Sequence, residues 1–326
     1  MKFKYIAAFM CAIFIAAVAL FAGGCEELKE AIEEAMGEVN MPDFQIAVSL
    51  DGKDAPQNVR CGVTAIDKDG DPVRLQEGDV RIYESQDRES WTEREFTSER
   101  RSEAHFPISA AVVMDYSGSM SDDQRKDSED GVITFTEFLE EGDRLAIIKF
   151  GTDVEVKQDF TDDAGDIESA LDDPYTGDTG TSLWDASKVG VDMAATEDAP
   201  KAVLAFTDGA DSGNGISADN LIDHAIGRGV PVYTLGMTCN LFGIALEGFL
   251  KDLVEVADET GGLFFKFPDS GDMEQIYVSI AKAFDEALLT TWATDFSGGT
   301  VYVKVKVQAE VGGKTYEESV ISTYRF

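Results

Sequence analysis

Hydrophobic and polar positions change their rhythm four times along the chain. Residues 5–22 are almost wholly apolar and follow Lys2 and Lys4. Beyond them Leu28, Ile32 and Met36 recur every four residues, the spacing of a short helix, within an acidic stretch that reads equally well as a tether. From 41 to 107 the rhythm is period two. Stretches 44–50, 59–66 and 80–83 alternate and are bounded by Asp- and Gly-rich turns at 51–54 and 67–72. This predicts a half-buried antiparallel sheet. From 108 to 287 the apolar runs become nearly continuous, at 110–114, 145–148, 202–206, 232–235 and 263–265. Strands buried on both faces look like this. Between them apolar residues recur at three and four: Val132, Phe135 and Phe138; Leu183, Ala186, Val189 and Met193; Leu246, Leu250, Leu253 and Val256; Tyr277, Ile280, Phe284 and Leu288. Alternating strands and amphipathic helices predict an α/β fold, a mostly parallel sheet doubly wound with helices on both sides. Residues 301–307 alternate strictly, 311–315 form a turn signal, and 318–324 return. A lone hairpin is too small to be stable. It is therefore expected to pack with 41–107 into one β-sandwich, into which the α/β domain is inserted. The segments are 1–24, 25–40, 41–107, 108–287 and 288–326.

The first segment has the layout of an export signal: a positive start, an apolar core, then Gly23, Gly24 and Cys25. It resembles the lipobox of bacterial lipoproteins, with Ala22 where leucine is usual. The resemblance implies that Cys25 is lipidated, becomes the new N-terminus and anchors the protein to a membrane. The competing reading is a plain transmembrane anchor, since the run is nearly long enough to span. Both place the body outside the cytoplasm. Glu26, in place of the aspartate that retains some lipoproteins at an inner membrane, favours the outer membrane.

Cys11 leaves with the signal, so Cys61 and Cys239 face an oxidising compartment. Whether they form a disulfide depends on a distance the sequence does not supply. No CxxC is present, and His105 and His224 are the only histidines, which argues against zinc and against histidine-based catalysis.

Charge narrows the partners. The chain has 326 residues, 44% of them hydrophobic, enough for a real core. It carries 63 acidic and 27 basic residues, a net charge of -36, which repels nucleic acid and suits a high-salt habitat. Most of these carboxylates form a solvated coat. The acidic 67–71 turn does not fit an EF-hand, because Gly70 stands at loop position four and Gly78 at position twelve. It reads as a hairpin turn.

One constellation carries chemistry. Run 110–114 leads into Asp115, Tyr116, Ser117, Gly118 and Ser119. Run 202–206 leads into Thr207, Asp208 and Gly209. Between them the Gly-rich loop 176–181 precedes a helix. In an open α/β sheet these points share the carboxyl edge, where ligands bind. Asp115, Ser117, Ser119, Thr181 and Asp208 each offer a small, hard oxygen. Such a set suits Mg²⁺ first, with Mn²⁺ or Ca²⁺ as alternatives. Two carboxylates among three hydroxyls leave a bound dication electrophilic. A partner's Asp or Glu carboxylate would complete both its charge and its coordination.

The Asp-x-Ser-x-Ser run, the later Gly180-Thr181 and Thr207-Asp208-Gly209 resemble the metal-ion-dependent adhesion site of von Willebrand factor A domains, including integrin I domains. The likeness spans 108–287. It implies a Rossmann-like fold with one antiparallel edge, and metal binding by Ser117, Ser119 and Thr181 directly or through water. Asp115 and Asp208 would bind through water or switch with ligation state. Asp185 is expected to orient the metal loop, Asp211 to cap a loop, Asp178 to be solvated and Trp184 to pack in the core. Tyr116 either flanks the site or covers its loop. The expected function is a membrane-anchored, metal-dependent protein-binding module. The alternative is an envelope scaffold in which the metal only stabilises the fold. Enzymatic activity is not expected, because no general base or second carboxylate cluster accompanies the motif.

Overall fold

The computed structural model describes residues 39–326, apart from 199, 214, 238, 242, 243, 247, 248, 268 and 269, and describes no side chains for 238–248. Cys25 and the whole export signal lie outside the described residues. In chain order the elements are β1 (Phe44–Asp54), β2 (Asn58–Asp67), β3 (Val80–Ser85), β4 (Thr92–Arg94), β5 (Thr97–Arg100), α1 (Arg101–Ala104), β6 (Ser109–Asp115), α2 (Asp122–Thr136), β7 (Arg144–Phe150), β8 (Val154–Thr161), α3 (Ala164–Asp172), α4 (Leu183–Ala194), β9 (Lys201–Thr207), α5 (Ala218–Ile226), β10 (Val232–Met237), β11 (Cys239–Leu241), β12 (Ile244–Leu246), α6 (Leu250–Thr260), β13 (Phe264–Phe267), α7 (Met273–Asp285), β14 (Leu288–Trp292), β15 (Thr300–Val311) and β16 (Lys314–Arg325). No helix among the described residues is long and apolar enough to cross a membrane.

The central sheet runs β13-β10-β9-β6-β7-β8. Five strands are parallel, and β8 pairs antiparallel with β7 at the edge. Val112, Met114 and Leu204 point to one face, against Val132 and Phe135 of α2 and Tyr277 and Ile280 of α7. Val113 and Val203 point to the other, against Leu183 and Trp184 of α4, Leu221 of α5 and Leu253 of α6. This side-to-side alternation is the strand period of two, buried on both faces by helices. Phe138 departs from expectation: it lies beyond the end of α2 and is 36% exposed.

The chain ends build the second unit. Sheet β1-β2-β14-β5 faces sheet β16-β15-β3-β4, and Ile46, Val48, Val63, Val303 and Val305 fill the space between them. The N- and C-terminal strands thus make one sandwich, as the hairpin argument requires. Two details differ from the sequence reading. The 51–54 stretch is not the turn; β1 continues through it with a register shift between Asp51 and Asp54. The sheet expected to be half-buried is buried on both faces along β1 and β2, because Ala47 and Ile66 turn to the core of the α/β unit while Ile46, Val48 and Ala65 turn into the sandwich. The 67–71 turn is a hairpin as expected: Pro72 bridges Ile66 antiparallel, Asp67 N donates to Asp71 O and Val73 N to Ala65 O, before the chain leaves for β3 in the other sheet. Asp67 Oδ1 accepts from Asp69 N and Asp71 N there, so the aspartates serve the turn's own backbone. Inside the sandwich the fully buried Glu84 accepts from Trp292 Nε1 and Tyr324 Oη, both at 2.9 Å, and from Arg94 Nε and Thr294 Oγ1, both at 2.7 Å. One carboxylate therefore ties the two sheets together with every lone pair engaged.

The sandwich abuts the amino edge of the central sheet. Val48 N donates to Gly261 O, just before β13, at 2.8 Å, and Leu50 N to Gly229 O, before β10, at 2.9 Å. Lys201 N, opening β9, donates to Ser49 Oγ at 2.9 Å. Gln45 exchanges two bonds with the Phe264 backbone. This leaves the carboxyl edge as the open one.

Cys61 is a free thiol, fully buried in the sandwich core. The disulfide left open by the sequence is not formed. Cys61 sits on β2, which pairs with β1 over the amino edge, whereas Cys239 opens β11, beyond the carboxyl end of β10. Burial pushes the Cys61 thiol up to about 12.

Candidate metal centre

β6 and β9 are adjacent parallel strands in the middle of the sheet. From β6 the chain proceeds outward through β7 and β8, then crosses back to β9 on the other side. The strand order reverses between them, so a crevice opens at their carboxyl ends. Asp115 is the last residue of β6, and Asp208 follows the last residue of β9.

Asp115 is 1% exposed. Its Oδ1 accepts from Ser117 N at 2.7 Å, folding the chain into an Asx turn that returns Ser117 over the strand end. Its Oδ2 accepts from Thr207 Oγ1 at 2.7 Å, tying the two strand ends together. Ser117 Oγ stands 2.9 Å from Ser119 Oγ, and Ser119 Oγ donates to Asp208 Oδ1 at 2.6 Å. The result is a row of oxygens, Ser117–Ser119–Asp208, with Asp115 beneath it. Ser117 and Asp208 are buried while Ser119 is exposed, so the row opens to solvent at one side.

Thr181 reaches the same edge through backbone bonds. Thr181 N donates to Ser212 Oγ at 3.1 Å, and Ser212 N and Gly213 N donate to Thr181 O at 2.8 and 3.0 Å. Gly118 N donates to Thr179 O at 2.9 Å. The three loops are therefore stitched to one another, and all five residues named from the sequence stand at one edge.

The surrounding residues sort out as follows. Asp185 Oδ1 accepts from Ile216 N at 3.4 Å, so it steadies the backbone downstream of Asp208. Asp211 Oδ1 accepts from Trp184 N at 3.5 Å at the start of α4. Asp178 is exposed and Trp184 is buried. Tyr116 covers the loop: it is 7% exposed, its hydroxyl donates to Glu129 at 2.5 Å, and Lys149 Nζ lies 4.7 Å from its ring centre. Sequence reasoning gave no role to Thr207 Oγ1, to Ser212, or to Arg125, whose Nη2 donates to Ser117 O at 3.0 Å. Spacing identifies small oxygens after strands but not which loop each will brace.

Electrostatics bear on what the row holds. Burial raises the Asp115 carboxyl to about 6 against its hydrogen bonds from Ser117 and Thr207, and the Asp208 charge adds to the rise. Burial raises Asp208 as well, with Ser119 and Arg125 opposing. Two neighbouring carboxylates out of water are costly unless a cation joins them. Among the described residues no group of three or more His, Cys, Asp or Glu side chains is placed to hold an ion. Any cation here must rely on hydroxyls for part of its coordination, and the oxygen row supplies them. The donor set fits a hard dication.

A family model, von Willebrand factor type A domain, matches residues 111–278. An uncharacterized protein of Borreliella burgdorferi is 26% identical over 149 residues, 40% of this chain and 43% of that protein. The chain therefore matches less than half the length of this curated relative. Among solved structures, a von Willebrand factor type A protein from Catenulispora acidiphila aligns with TM-score 0.47 at 12% identity, covering 89% of this chain and 75% of that one. Proximal thread matrix protein 1 from the mussel byssus aligns with TM-score 0.49 at 15% identity, covering 61% and 50%.

Proposed function

The chain belongs to the von Willebrand factor type A domain family, and on that premise we propose that it binds a divalent cation and, through it, a carboxylate of a partner protein. Domains of this family commonly mediate protein–protein interaction. In this chain Asp115, Ser117, Ser119, Thr181 and Asp208 would hold the ion, Mg²⁺ first, with Mn²⁺ or Ca²⁺ as alternatives. When bound, the ion supplies a Lewis-acid position that an Asp or Glu of the partner can occupy. The chain's own residues do the rest. Asp115 and Thr207 lock the two strand ends, Ser119 orients Asp208, and the exposed side of Ser119 leaves the approach open.

The observation that carries this reading is the row Ser117–Ser119–Asp208 beside buried Asp115. Two carboxylates share a switch-point crevice in which hydroxyls are their main partners. The same reading makes the protein a binder rather than an enzyme. It sits outside the cytoplasm on a lipid at Cys25, with the outer membrane favoured and no nucleic acid among its partners.

The experiment has two readouts. Calorimetric titration with Mg²⁺ and Mn²⁺ should give saturable binding that Ser117→Ala/Ser119→Ala abolishes. Immobilised protein exposed to bacterial envelope extract should capture a partner in Mg²⁺ and release it in chelator. Metal binding with capture indifferent to chelator and to the serines would instead support the scaffold reading.

A further inference from the structure

Thr181 rides on a loop, residues 173–181, that has no regular structure of its own. Backbone entropy favours many shapes for such a loop, so one must be selected by bonds from outside it. The short turn between β7 and β8 provides them. Thr152 N donates to Asp178 O at 2.7 Å, Thr152 Oγ1 accepts from Gly180 N at 2.8 Å, and Thr152 O accepts from Ser182 Oγ at 2.8 Å. Gly151 O accepts from Ser182 N at 2.8 Å. Thr152 thus grips the backbone before Thr181 and the Ser182 hydroxyl after it, and Gly151 holds the Ser182 backbone.

Tyr175 closes the loop from the other side. Its hydroxyl accepts from Asp153 N at 3.2 Å and lies 3.1 Å from Asp153 O and 3.0 Å from Asp178 O, to one of which it donates. Its ring centre is 5.8 Å from that of Tyr116, the residue between Asp115 and Ser117. Glycine is needed for this approach. A Cβ on Gly151 would fall 2.7 Å from the Tyr175 hydroxyl, and one on Gly180 2.5 Å from Thr152 Oγ1. Below, Lys149 Nζ donates to Leu171 O at 2.5 Å and Asp173 O at 2.8 Å, fixing the root of the loop next to the same Tyr116 ring.

We propose that Thr152 and Tyr175 are positioning residues that set Thr181 against Ser117 and Ser119, so that cation affinity depends on two side chains that never touch the cation. The inference rests on the metal reading above. Removing a group that orients a metal ligand costs ~10–100-fold in affinity, whereas a bond that only tidies a surface loop costs nothing in affinity.

The test is calorimetric titration of the mature chain with Mn²⁺. Thr152→Val and Tyr175→Phe should each weaken binding ~10-fold, while Thr152→Ser, which keeps the oxygen, restores it. Tyr175→Phe keeps the ring and so preserves packing if Thr152→Val proves unstable. Thr152→Val combined with Thr181→Ala should bind no worse than Thr181→Ala alone, because a residue acting through Thr181 has nothing left to act on. Melting temperatures in chelator should shift by only ~2 °C. Wild-type affinity in both single variants, or losses that add in the double variant, would overturn the proposal while leaving the metal site standing. A wild-type protein that binds no Mn²⁺ would overturn the metal reading and this inference together.

Discussion

The two edges of the central sheet are made from the same strands yet handle polar groups in opposite ways. At the amino edge, polar groups are answered from within the chain. Val48, Leu50 and Gln45 of β1 bond the backbone before or at the start of β13 and β10, and Ser49 bonds the first residue of β9. Arg101, the largest fully buried side chain there, is paired: its Nη1 and Nη2 donate to Asp143 Oδ1 and Oδ2 at 2.8 and 2.5 Å. Asp143 also accepts from Ile108 N and Glu140 N at the entries of β6 and β7. At the carboxyl edge two buried acids stand together with hydroxyls as their main partners, and the row runs out to exposed Ser119. A satisfied edge stores stability, and an edge that gathers like charges invites a ligand. Damage at the first should therefore cost folding free energy, and damage at the second should cost binding.

The largest effect is expected at the amino edge. Arg101→Met leaves Asp143 buried without its partner, and breaking such a pair costs about 3–5 kcal/mol. A urea titration should show the midpoint fall with little change in slope. The folded fraction should still bind Mn²⁺ with wild-type affinity. A fall in affinity matching the fall in stability would erase the distinction between the edges.

Ser117→Ala/Ser119→Ala should do the reverse. Loss of two direct oxygens should exceed the ~10–100-fold cost of losing a supporting group, while stability in chelator changes by only about 1 kcal/mol. Thr207→Val is the finer probe. It removes the hydroxyl that holds Asp115 Oδ2 and should weaken Mn²⁺ about 10-fold. Unchanged affinity in this variant would mean that Asp115 needs no help in keeping its orientation.

How far these edges could be read in advance follows from what each signal depends on. Alternation at 44–50 and strict alternation at 301–307 became β1 and β15, and continuous apolar runs became β6, β7, β9, β10 and β13. Those patterns report burial, and burial is what decides a strand. β8 escaped because it is an edge strand whose residues are mostly half-buried or exposed, leaving no face to mark. α3 escaped because it spans nine residues after the capping Asp163. Glu84 resembles any surface glutamate until Trp292, Tyr324, Arg94 and Thr294 converge on it from three separate stretches. The same divide runs through the site. Small oxygens just after buried strands declared Asp115, Ser117, Ser119 and Asp208. Thr152 and Tyr175 depend on which loops meet, and local spacing does not encode that.

The smallest effect lies in the mildly alkaline range of stability and is read at the amino edge and in the sandwich that covers it. Lys201, the first residue of β9, is 3% exposed, and burial lowers its pKa from 10.5 to about 8, partly opposed by Asp51, Asp198 and Glu197 and aided by Lys53. Between those values the unfolded chain holds the proton and the folded chain does not, so stability rises with pH from about 8 to 10.5. Cys61 has the opposite sign. Its folded pKa of about 12 stands above the ordinary thiol value of 9.0, so its contribution is complete below 9.0 and is lost as pH climbs toward 12. The first window opens before the second, so stability should rise between pH 8 and 9 and level off toward 9.5, before the buried Tyr233 and Tyr277, whose hydroxyls burial raises above 10.0, begin to lower it. Each group contributes at most about 1.4 kcal/mol per pH unit. Denaturant titrations at pH 7.5, 8.5, 9.0 and 9.5 would resolve it, with Lys201→Met flattening the rise and Cys61→Ala removing the levelling. If Ser117→Ala/Ser119→Ala flattened the rise instead, the alkaline limb would belong to the open edge, and the division of labour between the edges would fail on the titration that should show it most simply.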